Sequence, residues 1–396
     1  MGKSISLLLG AGFSAPAGYP LGNSLNEILL SCTGDNFAFN TDGRLMISTD
    51  GKKPDLGYKT SYDFQFDFCR DLIQYFNSLK GYFDYEEFYD FFVDDAKTDP
   101  GVIDFFHHNF YGSEKDLGQI LFSNKNIYNQ LISFYLKDGN GVAWYEDDAV
   151  SMSSFNGYLG VLNCLKEMEE ENRINVHTLN HDLFFERLDS SEWFNGKLCD
   201  GFEETRSLYY GDLYNSVTNT SQKVAIPYYN DEYKKNICLY KLHGSKDYAI
   251  YYRPQGTNLI PETYVKVPSK IGINNLYKKI YDKNGDLKYE HCWINYHADF
   301  LTGTTAKIRR YDEPLLFKHL FEHFIHNLVV AEKLIIIGYG GKDNEINKII
   351  MKNFDYRNKP SYIIDPFPGT NLKKLQAQLN AKFIIKNLAD IQMVDF

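Results

Sequence analysis

Four apolar runs in this chain each end in small or polar residues of the kind that bind or activate a ligand. In the first, Gly10, Gly12 and Ala15 reproduce the G-x-G-x-x-G/A spacing that holds a pyrophosphate at the start of a helix. Gly10 permits a tight turn, and Gly12 lets backbone N–H groups approach phosphates, whose charge the helix dipole favours. The segments that follow the four runs are Gly10-Ala11-Gly12-Phe13-Ser14, Asn180-His181-Asp182, His243-Gly244-Ser245 and Gly338-Tyr339-Gly340-Gly341-Lys342-Asp343.

Each of these patterns has a local explanation when it is taken alone. A glycine turn after a first strand is common, the Asn180–Asp182 segment is typical of a turn or helix cap, and the His243–Gly244 pair is typical of a turn. Ligands of an open α/β sheet, however, bind beyond the carboxyl ends of its strands. Four such strand ends in one chain therefore favour a shared ligand crevice.

The order of the predicted elements indicates how these strand ends are brought together. Strands are predicted at 4–9, 174–179, 237–242, 333–337, 361–364 and 382–385, and helices after the first glycine turn up to residue 31 and at 314–330, 343–354 and 371–380. This alternation predicts an α/β fold, with a Rossmann-like, mostly parallel sheet, helices on both faces and a large helical insertion. The expected domains are 1–35 with 172–396, which contains a loop or hairpin insertion at about 203–312, and a helical insertion at 60–171.

Composition excludes several classes of protein. The chain has 396 residues, 43% hydrophobic content and a formal net charge of −10. Its densest basic cluster, Lys307, Arg309 and Arg310, is too small for a nucleic-acid footprint, so no direct nucleic-acid binding is expected. No run is long enough to cross a bilayer, and a cytoplasmic location is expected. The six scattered cysteines form no C-x-x-C pair, which predicts reduced thiols packed as small apolar side chains and no metal site.

The aromatic content is high, with 31 Tyr and 29 Phe. Many of these residues recur at helical spacing between residues 61 and 171. They are interpreted as an aromatic core together with subunit contacts, in preference to platforms that stack on bases.

Taken in order, the motifs resemble the sirtuin (silent-information-regulator-type) NAD-binding domain. That family carries G-A-G-x-S, T-x-N-x-D and His-Gly signatures, which match 10–14, 178–182 and 243–244. Ile337-Gly338-Tyr339-Gly340 followed by Asp343-x-x-Ile346-Asn347 resembles a divergent bacterial branch that acts in anti-phage defence. The matched segments are short, but their order is that of the family.

Two departures from the sirtuin pattern bear on activity. Gly18-Tyr19-Pro20-Leu21-Gly22-Asn23 replaces the G-I-P-D-F-R of deacylating sirtuins, and the four-cysteine zinc ribbon is missing. Much of the small domain that borders an acyl-lysine cleft is missing with it. The resemblance therefore leaves NAD binding as the expectation and puts deacylation in doubt.

The resemblance also implies roles for individual residues. His243 is expected to be the catalytic base, since an imidazole suits proton transfer at neutral pH, and Asn180 to position the ribose and the attacking water. Asp182 is expected to hold the nicotinamide carboxamide, although a local turn role for it stays open. His181 is expected to pack, and His177 to point into a helical layer. The residues expected to bind NAD are Gly10, Ala11, Gly12, Ser14, Asp182, Gly338, Tyr339 and Asp365.

These roles imply an NAD+ glycohydrolase that releases nicotinamide and ADP-ribose, and the resemblance to the anti-phage branch implies that it depletes NAD during phage infection. The alternatives are an NAD-dependent protein deacylase and a non-catalytic nucleotide-binding subunit. Because an unregulated enzyme of this kind would harm its host, we expect a homo-oligomer, assembled through the aromatic helices of 61–171. We also expect a separately encoded regulator, for which the resemblance suggests a HerA-type ATPase.

Overall fold

The structure, a computed structural model, describes residues 3–39, 41, 43, 45–46, 53–110, 116–136, 152–215, 218, 220–256, 258–267, 271–294 and 298–396. The chain divides into two compact units. Unit 1 comprises residues 1–19, 137–294 and 311–396, and unit 2 comprises residues 20–136 and 295–310.

Strands and helices are numbered in chain order. The strands are β1 (Ser4–Leu9), β2 (Ala38–Phe39), β3 (Leu45–Met46), β4 (Arg173–Thr178), β5 (Leu198–Cys199), β6 (Phe202–Glu203), β7 (Tyr209–Asn215), β8 (Thr220–Ala225), β9 (Tyr228–Tyr229), β10 (Ile237–Lys241), β11 (Tyr248–Gln255), β12 (Asn258–Lys266), β13 (Ile271–Tyr281), β14 (Leu287–His291), β15 (Trp293–Ile294), β16 (Lys333–Ile337), β17 (Ser361–Ile364) and β18 (Lys382–Ile384). The helices are α1 (Ala11–Ser14), α2 (Gly22–Leu30), α3 (Ser61–Lys80), α4 (Tyr85–Asp90), α5 (Pro100–Asn109), α6 (Leu117–Tyr135), α7 (Leu159–Glu171), α8 (Phe184–Arg187), α9 (Phe317–Val330), α10 (Asn344–Asn353) and α11 (Thr370–Leu379).

Unit 1 is built on a seven-stranded sheet in the order β18-β17-β16-β1-β4-β10-β5. All of its neighbouring strands run parallel, and Ile5 of β1 pairs with Lys333 on one side and Ile174 on the other. Of the six apolar runs predicted as strands, five form the interior strands β17, β16, β1, β4 and β10, which helices cover on both faces as parallel strands require, and the sixth is the edge strand β18. The predicted Rossmann-like fold class is confirmed.

Helices cover both faces of this sheet. Leu7 of β1 shares a core with Leu162 and Leu165 of α7. The alternate residue Ser6 points the other way, where its hydroxyl donates to the backbone oxygen of Asn327 in α9 at 3.1 Å. This alternation is what a strand packed between two helical layers dictates.

His177 of β4 points into the α9 layer, as the strand alternation predicted. Its ring is fully buried, lies 4.7 Å from the Phe324 ring (centroid to centroid) and stacks on Tyr240. Nδ1 lies 3.1 Å from the Leu7 carbonyl oxygen and Nε2 lies 3.2 Å from the Asn327 amide nitrogen. A neutral imidazole with the proton on Nδ1 satisfies both contacts, and burial lowers the pKa of His177 to about 3.

Apart from β10, the strands between residues 202 and 294 form two antiparallel sheets, in the orders β15-β11-β12-β9-β6 and β14-β13-β7-β8. They share a small core that includes Tyr209, Tyr251 and Val265. The Asn284–Gly285 pair lies in the turn between β13 and β14, where Gly285 takes a left-handed φ of 83°. Parts of the insertion expected at 203–312 lie outside the described residues.

Unit 2 contains α2 to α6 around an aromatic core. Phe68, Phe76 and Phe88 are each fully buried or nearly so, together with Tyr128. Thr60 begins α3 with a capping box, in which its hydroxyl accepts from the Asp63 amide and the Asp63 carboxylate accepts from the Thr60 amide. Many aromatic residues of this region thus build the core of unit 2 itself, which agrees with the part of the sequence interpretation that assigned them to an aromatic core.

The domain limits expected from sequence differ from the compact units. Helix α2 belongs to unit 2 and α7 to unit 1, whereas the sequence interpretation placed 1–35 in the Rossmann-like domain and 60–171 in the insertion. Residues 137–151 of that expected insertion lie outside the described residues.

The densest basic cluster of the sequence lies in unit 2 and is paired with carboxylates. The Lys307 Nζ lies 3.3 Å from the Glu86 Oε1, and the Arg310 Nη2 lies 2.8 Å from the Asp299 Oδ2. Arg309 forms an ion pair with Asp94. The positive charge of the cluster is therefore balanced locally. Among the described residues, none of the helices has the length and apolar character needed to cross a membrane.

Candidate active site

Loops that follow four neighbouring strands meet at the carboxyl edge of the sheet. Because β16, β1, β4 and β10 are adjacent and parallel, the segments after them lie at one edge. The structure thereby brings together the loops of the sequence-predicted residues Gly10, Ala11, Gly12, Ser14, Asn180, Asp182, His243, Gly338 and Tyr339. Asp365 follows β17, one strand beyond β16, at the same edge.

The loops after β1 and β16 are in direct backbone contact. The Gly10 amide donates to the Ile337 carbonyl at 3.0 Å, and the Gly12 amide donates to the Gly338 carbonyl at 2.9 Å. A Cβ built on Gly12 would lie 2.8 Å from the Gly338 Cα. The glycines thus permit two loops to touch. The Gly12 amide, one of the N–H groups of the turn expected to approach phosphates, is already bonded within the protein.

The helix expected after the glycine turn is much shorter than predicted. Helix α1 contains four residues and passes into a 3-10 turn at Ala15–Ala17, which ends at Gly18 with a left-handed φ of 90°. Pro16 lacks the N–H that a continuing helix would use. The helix predicted from the glycine turn to residue 31 is therefore interrupted after α1 and resumes only as α2. Because the helix macrodipole is the sum of the dipoles of aligned peptide units, the four-residue α1 supplies only a small dipole at this turn.

Asn180 joins the loop after β4 to the loop after β1. Its Nδ2 donates to the Gly10 carbonyl at 3.0 Å and to the Ser14 hydroxyl at 3.1 Å. These two bonds use both amide hydrogens and fix the orientation of the side chain. Asn180 is half-buried, and because neither bond involves Oδ1, this atom retains its capacity to accept a hydrogen bond from a water or a sugar hydroxyl.

Asp182 lies in a turn that begins α8, next to two buried lysines. Its Oδ1 accepts from the Phe184 amide at 2.9 Å, so the local turn role left open by the sequence does exist. Lys241 donates through Nζ to the Asp182 backbone oxygen and pairs with Glu186 at 2.8 Å. Burial lowers the pKa of Lys246 to about 7, against the opposing effect of the Asp182 charge. Sequence reasoning did not identify either lysine as part of this region.

The central pair of the site is His243 with Asp343. His243 is 4% exposed, and its Nε2 lies 3.6 Å from the Asp343 Oδ2. The ring lies 6.5 Å from that of Tyr311 and 6.3 Å from that of His181, centroid to centroid. Gly244, with a left-handed φ of 78°, turns the chain directly after the imidazole. A carboxylate beside an imidazole stabilises the cation that forms when the imidazole accepts a proton.

Asp343 was missed as a site residue, although it stands in the D-x-x-I-N segment. Its Oδ1 accepts from the Glu345 and Ile346 amides, both at 3.1 Å, so it begins α10 as the N-cap. An aspartate after a glycine-rich loop and before a helical run is a recognisable cap signal in the sequence. The approach of the Asp343 Oδ2 to His243, however, could not be predicted from the sequence, because it depends on the fold.

Tyr339 is buried and its hydroxyl is bonded within its own loop. It lies 3.0 Å from the Asp343 carbonyl and 2.9 Å from the Asn347 Oδ1. Asn347 in turn donates to the Gly341 carbonyl at 3.0 Å. These contacts hold the loop that carries Asp343, so the geometry gives Tyr339 a positioning role in addition to the binding role expected of it.

Asp365, predicted to bind the cofactor, closes a turn after β17. Its Oδ1 accepts from the Phe367 amide at 2.7 Å, and burial raises the pKa of this carboxyl group. Among the described residues, no group of three or more His, Cys, Asp or Glu side chains is arranged to hold a metal ion.

Known proteins offer limited comparison. No protein-family model and no curated protein matches the chain. A solved structure from a study of the mechanism and regulation of Sir2 enzymes is 12% identical, with a TM-score of 0.35, and the match covers 100% of this chain and 91% of that one. A Sir2 homologue in complex with NAD is 10% identical, with a TM-score of 0.38 and coverage of 100% and 88%. Because these values are low, the fold assignment rests on the strand order.

Proposed function

We propose that this chain is an NAD+ glycohydrolase that cleaves the nicotinamide–ribose bond and transfers ADP-ribose to water. The observation that carries the proposal is that Asn180, anchored on Gly10 and Ser14, and the His243–Asp343 pair follow strands of one parallel sheet at the same edge. A positioned amide oxygen, an imidazole and a backing carboxylate are the groups that water activation needs.

The bond being broken explains why these groups suffice. Nicotinamide leaves as a neutral molecule through an oxocarbenium-like state, so the leaving group needs no strong acid. In this proposal His243 accepts the proton of the attacking water or of a ribose hydroxyl, and Asp343 stabilises the resulting imidazolium. Asn180 Oδ1 orients the nucleophile.

The dinucleotide is proposed to lie along the same loops. Its contacts would be Gly10, Ala11, Gly12, Ser14, Asp182, Gly338, Tyr339 and Asp365. Because the Gly10 and Gly12 amides bond to Ile337 and Gly338, these glycines would contact NAD through close approach of their backbone and not by donating those hydrogens.

Nicotinamide release from NAD by the purified full-length protein tests the proposal. His243→Ala and Asn180→Ala should each lower the rate by roughly 10²–10⁴-fold, the usual contribution of a positioned base. Combining them should cost far less than the product of the two effects, because residues acting as a unit are not additive. His181→Ala, which removes the neighbouring imidazole, is the matched control and should leave the rate within a few-fold. Wild-type turnover in His243→Ala would refute the mechanism.

The same assay separates the alternatives. NAD consumption that requires an acylated peptide would indicate a deacylase. Tight NAD binding without turnover in any assembly state, unchanged by His243→Ala, would indicate a non-catalytic nucleotide-binding subunit.

The proposal extends to a homo-oligomer that depletes NAD during phage infection under the control of a separately encoded regulator, such as a HerA-type ATPase. NAD levels in infected cells that express the chain with and without that neighbour would test it. Unchanged NAD in both cases would contradict the defence role.

A further inference from the structure

Two cysteines of unit 1 lie side by side on adjacent strands. Cys199 ends β5 and Cys238 is the second residue of β10, and the two are register partners in a parallel pairing. Their Sγ atoms are 3.5 Å apart. Neighbouring strands lie about 4.8 Å apart, within the range of about 4.4–6.8 Å that Cα atoms joined by a disulfide adopt. Rotation of the side chains therefore brings the sulfurs to bonding distance with little movement of the strands.

The surroundings of the pair favour a thiolate. The Arg173 guanidinium donates to the Cys238 Sγ at 3.1 Å, and the Lys235 amide donates to the Cys199 Sγ at 3.4 Å. Hydrogen bonding from Cys238, then from Lys235, and the nearby Arg173 charge lower the pKa of Cys199 to about 7. The shared hydrogen bond and burial raise the pKa of Cys238.

The two sulfurs also differ in access. Cys199 is half-buried, whereas Cys238 is fully buried. A reactive cysteine is an accessible thiolate, and a second thiol within reach can resolve its oxidised form. By contrast, burial raises the pKa values of the four remaining cysteines, Cys32, Cys69, Cys164 and Cys292.

We propose that Cys199 and Cys238 form a redox-active dithiol site that hydrogen peroxide oxidises to an intramolecular disulfide. The Cys199 thiolate attacks one peroxide oxygen, the O–O bond breaks, and hydroxide leaves as water after taking up a proton. The Cys238 sulfur then attacks the Cys199 sulfenic acid, forms the S–S bond and releases a second water. The two thiols lose two electrons and two protons, and a dithiol reductant reverses the change.

The site is separate from the candidate active site. Cys238 lies at the amino end of β10, whereas His243 follows the carboxyl end of the same strand. Oxidation of the two cysteines can therefore be measured by mass spectrometry of their peptides, whether or not the protein consumes NAD.

Peptide mapping of the full-length protein tests the proposal. Reduced protein is treated with hydrogen peroxide, denatured in the presence of iodoacetamide and digested. The expected product is one peptide pair that joins Cys199 to Cys238, lighter than the two reduced peptides by two hydrogen atoms and lost after dithiothreitol. Recovery of both cysteines fully alkylated, or linkage of either to another partner, would overturn the proposal.

Variants separate the two roles. After peroxide treatment, Cys238→Ser should leave Cys199 as a sulfenic acid that dimedone labels, whereas Cys199→Ser should give no dimedone label at Cys238. Cys164→Ser is the matched control and should still form the Cys199–Cys238 disulfide. In native reduced protein at pH 7, iodoacetamide should modify Cys199 at least about tenfold faster than Cys164, in line with its greater thiolate content. Dimedone labelling at Cys238 instead of Cys199 would contradict the assignment of Cys199 as the thiol that peroxide attacks. If a variant fails to fold, the presence or absence of the Cys199–Cys238 disulfide in the wild-type protein still decides the proposal.

Discussion

At the scale of single residues, Asp343 serves two partners with two different oxygen atoms. Oδ1 accepts from the first-turn amides of α10, and Oδ2 faces the His243 imidazole. The carboxylate is thereby fixed by the helix before it acts on the histidine. One side chain thus couples the start of α10 to the chemistry proposed for the site.

Asp343→Asn should separate these functions, because asparagine is an equally good N-cap but carries no charge. We expect kcat for NAD cleavage to fall roughly 10- to 100-fold, as a charge-assisted contact of about 1.5–3 kcal/mol is lost, with KM little changed. Steady-state kinetics and a thermal melt measure both effects.

Asp343→Ala provides the comparison for that substitution. It removes the cap as well as the charge, so it should also lower stability by about 1 kcal/mol. If Asp343→Asn retained full kcat, the carboxylate would have no part in proton transfer.

The buried His177 should make the protein sensitive to mild acid. The unfolded chain binds a proton at this residue below pH about 6.5, whereas the folded protein does so only near pH 3, the value to which burial lowers the pKa of His177. The free energy of unfolding should therefore fall as the pH drops below 6.5, by about 2 kcal/mol at pH 5. Urea unfolding at pH 7.5 and pH 5 measures this loss.

His177→Gln, which retains a donor and an acceptor without a titrating ring, is the variant for that experiment. Its stability at pH 7.5 should be lower because the ring packing is lost, but its further loss at pH 5 should be about 2 kcal/mol smaller than in the wild type. An equal acid-dependent loss in both proteins would show that the proton is taken up elsewhere.

At the scale of elements, the site depends on the contact between the loops after β1 and β16. A Cβ on Gly338 would lie 2.3 Å from the Phe13 amide nitrogen, and its φ of 60° is left-handed. Gly338→Ala should therefore lower the free energy of unfolding by at least about 2 kcal/mol, which denaturant titration measures. Gly340→Ala is the matched control, since a Cβ there meets nothing within 4 Å, and should change stability by less than about 0.5 kcal/mol.

The outcome of that pair discriminates between two roles for the glycines. Equal stability of the two variants would mean that the loops can separate without cost. The glycine turn would then serve only the ligand, as the sequence motif alone had suggested.

Six of the seven strands of the parallel sheet were predictable from the sequence, because each is a short, mostly apolar run bounded by turn residues. The seventh, β5, has only two residues and gave no such signal. The strands of the two antiparallel sheets were not assigned one by one, because their half-exposed, tyrosine-rich sequences lack a clear period. The short α1 could have been anticipated from Pro16 and Gly18. In the site, Asn180 and His243 stood out by motif, whereas the pairing of His243 with Asp343 depends on β10 and β16 being separated in the sheet only by β1 and β4.

At the scale of the whole molecule, the proposed oligomer has fewer aromatic residues available than the sequence suggested. Most phenylalanines of the helices within 61–135 are buried in unit 2 itself, but Phe122 of α6 remains 67% exposed. Light scattering coupled to size exclusion should give a mass above that of one chain. Phe122→Glu should lower that mass by introducing a charge at the proposed contact, and Val394→Glu, at an even more exposed site in unit 1, should not. A monomeric wild type with full activity would refute the assembly.

The central position of β1 also governs the order in which a newly made chain can complete its sheet. The ribosome delivers β1 first, but one of its two flanking strands, β16, follows only after residue 332. At roughly 5–20 residues per second, the wait is on the order of tens of seconds. Throughout that interval one edge of β1, whose residues are all buried in the folded protein, stays open, so we expect the nascent chain to bind chaperones. The loop with Gly338 and Asp343 emerges later still, so an NAD-cleaving centre built this way would stay inactive during translation.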